Sequence, residues 1–320
     1  MFSNFPNGVS SFGVPCVGTL PFTTGRYIFV NPTTGKDGND GLSVDSPKKT
    51  VAAAYAMATS NNDDVIVLST YAQHELTEQL TISKNRVHFV GDLFGRMYGQ
   101  RARINYADGI ATALPFAVKN IGVGNTFTGI KFMNNNTDAQ VVGTVGEGGE
   151  YAIYRNCEFY NSTNLTSDTV AELVLGGDSA QFFNCTFGSL ADAVSGDKVR
   201  PAVLVDGSVV TSGAGTSRDI LFDNCRFWKK AGGTATAFIK VAADADLERV
   251  MEIHDCQFIA SMLGATPAVA IALAASLTNA QILLTGDTCG SDITKLGTGT
   301  GIISLLNVKA ATATIGIQAT

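Results

Sequence analysis

The feature that most constrains the fold is a short unit that recurs four times in the middle of the chain. Each unit is a run of alternating apolar and polar residues that ends in Asn/Asp-Cys-x-Phe. The cysteines of these units are Cys157, Cys185, Cys225 and Cys256, which places them 28, 40 and 31 residues apart. Alternation is the period of a β-strand. The unequal spacing therefore indicates constant strands joined by loops of different length.

A strand of this kind cannot bury its apolar face alone, so successive units have to stack. Parallel stacking superimposes cysteine on cysteine and phenylalanine on phenylalanine, and it places the Asn or Asp of each unit at an equivalent bend. We therefore predict an all-β chain, a single-stranded right-handed parallel β-helix with reduced, inward-facing cysteines. A β-sandwich or a propeller shares the strand period, but a propeller requires four strands per blade at a regular spacing of about 40–45 residues. The predicted structural stack comprises Cys157, Cys185, Cys225, Cys256, Asn156, Asn184, Asn224 and Asp255.

Composition and charge exclude several functional classes. The chain carries a formal net charge of -6 and has no long cluster of Lys and Arg, which argues against a nucleic-acid partner. The longest apolar run, residues 267–277, is shorter than the ~20 residues of a membrane-spanning helix, so no membrane insertion is expected. With 3 histidines and no Cys-x-x-Cys, the sequence predicts no metal site and no cofactor.

Residues 26–92 predict the first strands of the β-helix and one short helix among them. The helix is expected over residues 47–59, because a Ser-Pro pair at its start is typical of an N-cap and a first helical position. Within this segment Val51, Tyr55 and Ala58 fall on one apolar face.

The order of elements in this part of the chain resembles the opening of pectin-lyase-like β-helix proteins. A first strand leads into VNPTTGKDGNDG, a helix follows SPKKT, and the strands DVIVL, LTI and VHFVGD come next. In that superfamily a short helix closes the first rung, whose apolar end would otherwise be open, so the resemblance implies that the helix over residues 47–59 covers this rung with its apolar face. The resemblance covers residues 27–92 and extends through the repeated units to about residue 258. It implies the fold and little about function, because many chemistries and many non-enzymes share this fold.

The N-terminal residues carry a second resemblance. The segment NFPNGVSSFGVP is similar to the N-terminal segment of tailed-bacteriophage structural proteins that place a β-helix behind a short anchoring peptide. It has neither a helical nor a strand period. Its aromatic side chains are costly to leave in water, so we expect them to insert into a partner. The predicted anchoring residues are Phe2, Phe5, Phe12 and Phe22.

These observations divide the chain into four parts. Residues 1–25 form an extended N-terminal anchoring arm, residues 26–92 the β-helix start, residues 93–262 the parallel rungs, and residues 263–320 the C-terminal rungs or a terminal sheet. The last part is rich in Ala, Thr and Gly and has no polar cap, so subunit contacts are expected there. The resemblance to phage β-helix proteins implies a homotrimer.

A polysaccharide-cleaving site requires two carboxylates about 5–10 Å apart across a groove. Three pairs of acids are close enough in sequence to be considered, namely Glu147 with Glu150, Asp168 with Glu172, and Asp244 with Asp246. All of them lie in loops or at strand ends, and we interpret them as solvated acids of turns. We find neither the acidic calcium cluster nor the arginine of a pectate-type lyase, and we predict no catalytic residue.

Two other features admit a functional interpretation. Asp37, Asn39 and Asp40 lie in a glycine-rich loop that is faintly similar to a calcium loop, but turn formation explains them without a metal. Trp228 is the only tryptophan, and it is either a platform for a sugar ring or a contact between subunits.

Two hypotheses of function follow, from different classes. The first is a non-enzymatic virion protein, a trimeric capsid decoration, cement or fibre subunit that assembles in the cytoplasm of a bacterial host and attaches to capsid or other virion proteins through its arm. The alternative is a tail spike or receptor-binding protein that binds or depolymerises a host-surface glycan. A cellular β-helix enzyme is a third and weaker alternative.

Overall fold

The computed structural model contains three long parallel β-sheets. The chain winds in successive coils, and each coil adds one strand to each sheet. The structure describes residues 10–11, 14–15, 23–92, 102–109, 114–138, 140–161, 169–188, 200–211, 215–230, 237–260, 267, 269–274, 276–290, 295–297 and 301–304. Strands are numbered in chain order, beginning with β1 (Ser10–Ser11) and β2 (Val14–Pro15), which pair with each other in antiparallel fashion.

Sheet 1 contains β3 (Tyr27–Val30), β4 (Asp64–Leu68), β7 (Val87–Gly91), β10 (Thr126–Thr128), β13 (Ile153–Arg155), β16 (Gln181–Phe183), β19 (Ser217–Asp223), β22 (Leu247–His254), β25 (Ala280–Thr285) and β28 (Ile302–Ser304). Sheet 2 contains β5 (Gln73–Leu76), β8 (Ala102–Tyr106), β11 (Ile130–Asn134), β14 (Glu158–Asn161), β17 (Thr186–Gly188), β20 (Arg226–Lys229), β23 (Gln257–Ala260) and β26 (Cys289–Gly290). Sheet 3 contains β6 (Leu80–Ile82), β9 (Phe116–Asn120), β12 (Gly143–Glu147), β15 (Ala171–Leu175), β18 (Val203–Val205), β21 (Ala237–Val241), β24 (Val269–Leu273) and β27 (Lys295–Gly297).

A coil passes through sheet 1, sheet 2 and sheet 3 in that order, and each strand pairs in parallel with the equivalent strand of the next coil. The predicted parallel β-helix is therefore confirmed. Within the described residues, the helical elements are α1 (Val51–Met57), α2 (Gly207–Val210) and a 3-10 turn (Asp244–Asp246). Among the residues that the structure describes, no helix is long and apolar enough to cross a membrane.

Two columns of aromatic rings fill the interior. The column on sheet 1 consists of Phe89, Phe127, Tyr154, Phe182 and Phe222, and the column on sheet 2 consists of Phe132, Phe159, Phe187, Phe227 and Phe258. Successive rings within a column stack with centroids 4.6–5.4 Å apart. This spacing follows the strand separation of about 4.8 Å. The stacking explains why the same ring type recurs at the same position of each unit.

The four repeated cysteines lie between these columns, buried and not joined by disulfides. Their thiols donate to backbone carbonyls of the preceding coil, as when Cys185 Sγ lies 3.5 Å from the carbonyl oxygen of Tyr154. Burial raises the pKa of the Cys225 thiol well above its usual range. These cysteines therefore act as small apolar residues and not as nucleophiles.

The Asn or Asp before each cysteine forms the bend between sheet 1 and sheet 2. Asn156, Asn184, Asn224 and Asp255 all have left-handed backbone conformations, with φ between 50° and 53°. Asn and Asp tolerate this conformation better than other residues with a side chain, which explains their recurrence. Asn224 Nδ2 also donates to Asn184 Oδ1 at 2.6 Å, so part of this column is joined from coil to coil by side-chain amides.

The capping helix is shorter than predicted. It begins at Val51 with Thr50 as N-cap, and the Thr50 hydroxyl accepts a hydrogen bond from the Ala53 amide at 3.1 Å. Ser46 is not the N-cap, and Pro47 lies before the helix. The reason is non-local, because the carboxylate of Asp37 accepts the backbone N–H groups of both Lys49 and Thr50 and so fixes the start of the helix one turn later.

The expected apolar face of α1 is only partly as predicted. Val51, Ala54 and the C-cap residue Ala58 are buried against the first rung, whereas Tyr55 is half-buried. The Tyr55 ring stacks on Phe89 with centroids 6.2 Å apart. The helix thus contacts the aromatic column of sheet 1 through its tyrosine.

Replacing Tyr55 with phenylalanine should lower the free energy of unfolding by about 1–3 kcal/mol. The Tyr55 hydroxyl accepts the backbone N–H groups of Ser83 and Lys84 at 2.7 and 2.8 Å, and Tyr55→Phe keeps the ring while it leaves both donors without this acceptor. Urea denaturation measures the change. Tyr71→Phe is the matched control, because Tyr71 is 80% exposed, and it should change the free energy by less than about 0.5 kcal/mol. Equal values for the two variants would contradict this role of Tyr55.

Candidate functional site

Glu147, a member of the first acid pair, is completely buried at the end of β12. Its carboxylate accepts hydrogen bonds from Asn120 Nδ2 at 3.0 and 2.9 Å, from the Gly149 amide at 2.7 Å and from the Tyr154 hydroxyl at 2.5 Å. Glu150 is exposed, so the two carboxylates do not face one groove. The interpretation of Glu147 as a solvated turn acid is wrong.

The environment of Glu147 shifts its ionisation. Burial raises the pKa of Glu147 to about 7, and the hydrogen bonds from Tyr154, Asn120 and Gly149 oppose this rise. The buried network continues into the preceding coil, where Asn120 Oδ1 accepts from Asn125 Nδ2 at 2.8 Å. One signal was present in the sequence, because Glu147 stands two residues after the apolar Val145 and strand alternation directs both inward.

Glu172, of the second pair, is also buried, so this acid too is not solvated. Its Oε1 lies 3.4 Å from Nε of Arg200, which is 1% exposed, and an Arg200 terminal nitrogen donates to the carbonyl oxygen of Asn161 at 2.5 Å. Asp168 lies outside the described residues. A buried acid held by an arginine is a structural group and cannot reach a substrate in solvent.

The acids of the third pair hold neighbouring coils together. Asp244 accepts the Thr278 amide at 2.7 Å and the Thr278 hydroxyl at 2.5 Å. Asp246 accepts the Gly207 amide at 3.3 Å, at the start of α2. Both carboxylates therefore stabilise contacts between neighbouring coils of the β-helix.

The glycine-rich loop after β3 is a turn, as its composition indicates. Asn39 Nδ2 donates to the Pro47 carbonyl at 2.9 Å, and Asp40 Oδ1 accepts the Leu42 amide at 3.1 Å. Asp37 is engaged with the start of α1. These hydrogen bonds hold the turn and join it to the segment that leads into α1.

The outer face of sheet 2 carries two partly exposed aromatic side chains. Trp228 on β20 lies opposite Gly188 on β17, and Tyr160 lies on the neighbouring strand β14. Lys131 Nζ lies 4.7 Å from the centroid of the Tyr160 ring and donates to Glu158 Oε1 at 2.7 Å. Aromatic rings flanked by charged groups are a common surface for sugar rings.

The predicted anchoring residues Phe2, Phe5, Phe12 and Phe22 lie outside the described residues. Of the arm, the structure describes β1 and β2, which form a separate two-stranded sheet. Thr23, near the end of this region, contacts the β-helix, because its hydroxyl donates to the carbonyl oxygen of Asp63.

Comparison with known proteins returns structural matches alone. No protein-family model matches the chain. No curated protein matches it either.

Among solved structures, the chain is similar to a pectin methylesterase from Aspergillus niger, with 14% identity over 86% of this chain and 87% of the other and a TM-score of 0.46. It is similar to pectate lyase Pel9A, with 12% identity over 90% of this chain and 79% of the other and a TM-score of 0.43. It is also similar to ORF18 of Geobacillus virus E2, with 15% identity over 88% of this chain and 60% of the other and a TM-score of 0.34. At these identities and scores, the matches do not bear on activity.

Proposed function

We propose that this chain is a non-enzymatic structural subunit of a tailed-phage virion, a trimeric capsid decoration, cement or fibre protein. The observation that carries the proposal is the state of the candidate acids. Glu147 and Glu172 are buried in structural networks, and Asp244 and Asp246 bond neighbouring coils. Because Glu147 and Glu172 are buried, neither the first nor the second pair can place two carboxylates on either side of a glycosidic bond, which is the arrangement that glycoside hydrolysis uses.

Attachment to the particle is assigned to the N-terminal arm. Its resemblance to phage anchoring segments supports this role, and β1 and β2 pair with each other and not with a sheet of the β-helix. Each phenylalanine that inserts into a partner contributes about 1.5–3 kcal/mol through the apolar area removed from water. Three arms of a trimer then give tight attachment through multivalency, even if each arm alone binds weakly.

Deletion of residues 1–22 should abolish attachment to particles while the β-helix stays folded. The deletion ends before Thr23, which keeps the hydrogen bond of that residue to Asp63. The test adds purified protein to virions that lack it and measures the bound copies by co-sedimentation, with at least a tenfold loss expected for the truncated chain. Circular dichroism and light scattering should show an unchanged fold and an unchanged trimer.

The matched control is Phe183→Ala, which removes an aromatic ring from the outer face of sheet 1 and should leave attachment at the wild-type level. If the truncated chain still joins particles, the arm is not the anchor and the proposal is wrong in that respect. If the full chain shortens purified host-surface polysaccharide, the non-enzymatic assignment is wrong.

The second candidate is a tail spike or receptor-binding protein that binds a host-surface glycan. The outer face of sheet 2 favours it, because Tyr160 on β14 and Trp228 on β20 lie on either side of β17. The residue of β17 opposite Trp228 is Gly188, which has no side chain. Binding of purified host-surface polysaccharide to the full chain, compared with binding to Trp228→Ala, distinguishes this candidate, since glycan binding that depends on Trp228 would support it over the purely structural role.

A further inference from the structure

A cluster of three ligand-bearing residues lies where sheet 1 bends into sheet 2. Asp223 ends β19, and His254 lies directly opposite it at the end of β22. Asp255 is the bend residue that follows His254, with φ 50°. One donor atom from each residue lies within 4.8 Å of the other two.

Hydrogen bonds outside the cluster determine which imidazole nitrogen faces it. His254 Nδ1 lies 2.9 Å from Thr285 Oγ1, and the Thr285 hydroxyl donates to Glu252 Oε1 at 3.0 Å. A hydroxyl has a single hydrogen, so Thr285 can only accept from His254, and Nδ1 carries the proton. In the neutral imidazole the lone pair is therefore on Nε2.

This arrangement leaves negative charge without a fixed cation. His254 Nε2 lies 3.3 Å from Asp255 Oδ2, so in the neutral imidazole a nitrogen lone pair faces a carboxylate oxygen. In the part of the chain that the structure describes, neither Asp223 nor Asp255 has an Arg or Lys nitrogen within 4.0 Å. A lone pair and two carboxylates attract a cation to the space between them.

His88 provides an internal comparison with nearly the same geometry. Its Nδ1 lies 2.9 Å from Thr126 Oγ1, and its Nε2 lies 3.3 Å from Asp63 Oδ1. There, however, Arg86 Nε donates to the same carboxylate at 2.8 Å. The guanidinium supplies at His88 the fixed positive charge that is missing around His254.

We propose that Asp223, His254 and Asp255 bind a divalent transition-metal ion of the zinc type. Nε2 of His254 and one carboxylate oxygen from each aspartate would be the protein ligands, and water would complete the shell at this partly exposed position. Imidazole nitrogen combined with carboxylate oxygen suits Zn²⁺ and its neighbours in the first transition row, whereas Ca²⁺ and Mg²⁺ prefer oxygen ligands alone.

The surroundings support a ligand role for His254. Metal-binding histidines usually donate their second N–H to an acceptor that is itself oriented, and Thr285 with Glu252 provides this arrangement. Gly286 allows the chain to pass close to both side chains, since a Cβ there would lie 2.0 Å from Asp255 Oδ1 and 2.8 Å from His254 Cε1. The site is independent of the proposed virion role.

Isothermal titration of the untagged, chelator-treated full chain with ZnCl₂ at pH 7.5 tests the proposal. We expect one Zn²⁺ per chain, at least tenfold weaker binding in His254→Gln and in Asp223→Asn, and ten- to hundredfold weaker binding in Thr285→Val. His88→Gln is the matched control and should bind Zn²⁺ as the parent does. Visible absorption bands of bound Co²⁺ should disappear in His254→Gln and persist in His88→Gln.

The proposal is overturned if Zn²⁺ binding is absent. That result would mean that a proton on His254 is enough to offset the negative charge of the two carboxylates. It is equally overturned if His254→Gln changes the affinity by less than tenfold, or if His88→Gln weakens binding as much. Circular dichroism of each variant separates loss of the site from loss of the fold.

Discussion

Replacing Phe182 with alanine should lower the free energy of unfolding by about 3–5 kcal/mol. Phe182 is completely buried and stacks between Tyr154 and Phe222, with centroid distances of 5.0 and 4.9 Å. It also contacts Phe159 and Phe187 edge-to-face in the neighbouring column. Truncation removes one ring from the middle of both sets of contacts, and the strands on either side cannot close the gap because backbone hydrogen bonds fix their spacing.

The adjacent residue provides the control for this prediction. Phe183 points to the outer face of sheet 1, where the Arg155 guanidinium lies 4.5 Å from its ring centroid. Phe183→Ala should therefore lower the free energy of unfolding by only about 0.5–1 kcal/mol. Urea denaturation of both variants at one pH measures the difference. Similar losses in the two variants would show that the inward and outward positions of β16 are misassigned.

Glu147→Gln should remove a pH dependence of stability that the parent shows between about pH 4.5 and pH 7. The pKa of Glu147 is raised to about 7 by burial, whereas in the unfolded chain it is near 4.5. The folded state therefore holds a proton that the unfolded state releases in this range, and the stability of the parent falls as pH rises. With about 1.4 kcal/mol per pKa unit, the parent should lose about 3 kcal/mol relative to Glu147→Gln, and the difference should level off once the pH has passed the folded-state pKa.

The measurement is the difference in free energy of unfolding between parent and variant, taken at half-unit steps from pH 4 to pH 8, which cancels the titration of all other groups. Glu150→Gln is the matched control, because Glu150 is exposed and lies three residues away. Its difference from the parent should not vary by more than about 0.5 kcal/mol over the same range. A flat difference for Glu147→Gln, or one that rises in favour of the parent with pH, would contradict the burial of Glu147 as a protonated acid.

The interior was predictable where each coil repeats the same local pattern. The Asn/Asp-Cys-x-Phe units predict an inward cysteine and phenylalanine by alternation alone, and the structure has Cys225 and Phe227 buried in these positions. The bends were predictable for the same reason, since Asn and Asp suit a left-handed backbone. Both properties belong to a few consecutive residues.

The polar groups were not predictable in this way, because their partners lie in other coils. Glu147 is buried with Asn120, 27 residues earlier, and the start of α1 depends on Asp37, 13 residues before Thr50. Similarly, Asp223 meets His254 only because β19 and β22 are in register after an irregularity between Arg218 and Ile220. Loop lengths differ from coil to coil, so sequence spacing does not reveal these juxtapositions.

The amino-acid sequence by itself thus determined the parallel coil, its apolar contents and its bends, since strand period and backbone preference are local and repeat along the chain. Only the tertiary structure decided which acids are buried, which are bound by an arginine or a backbone amide, and which face an imidazole lone pair. The physical reason is that the energy of a charged or polar group depends on the donors and cations within a few ångströms, whatever their distance along the chain.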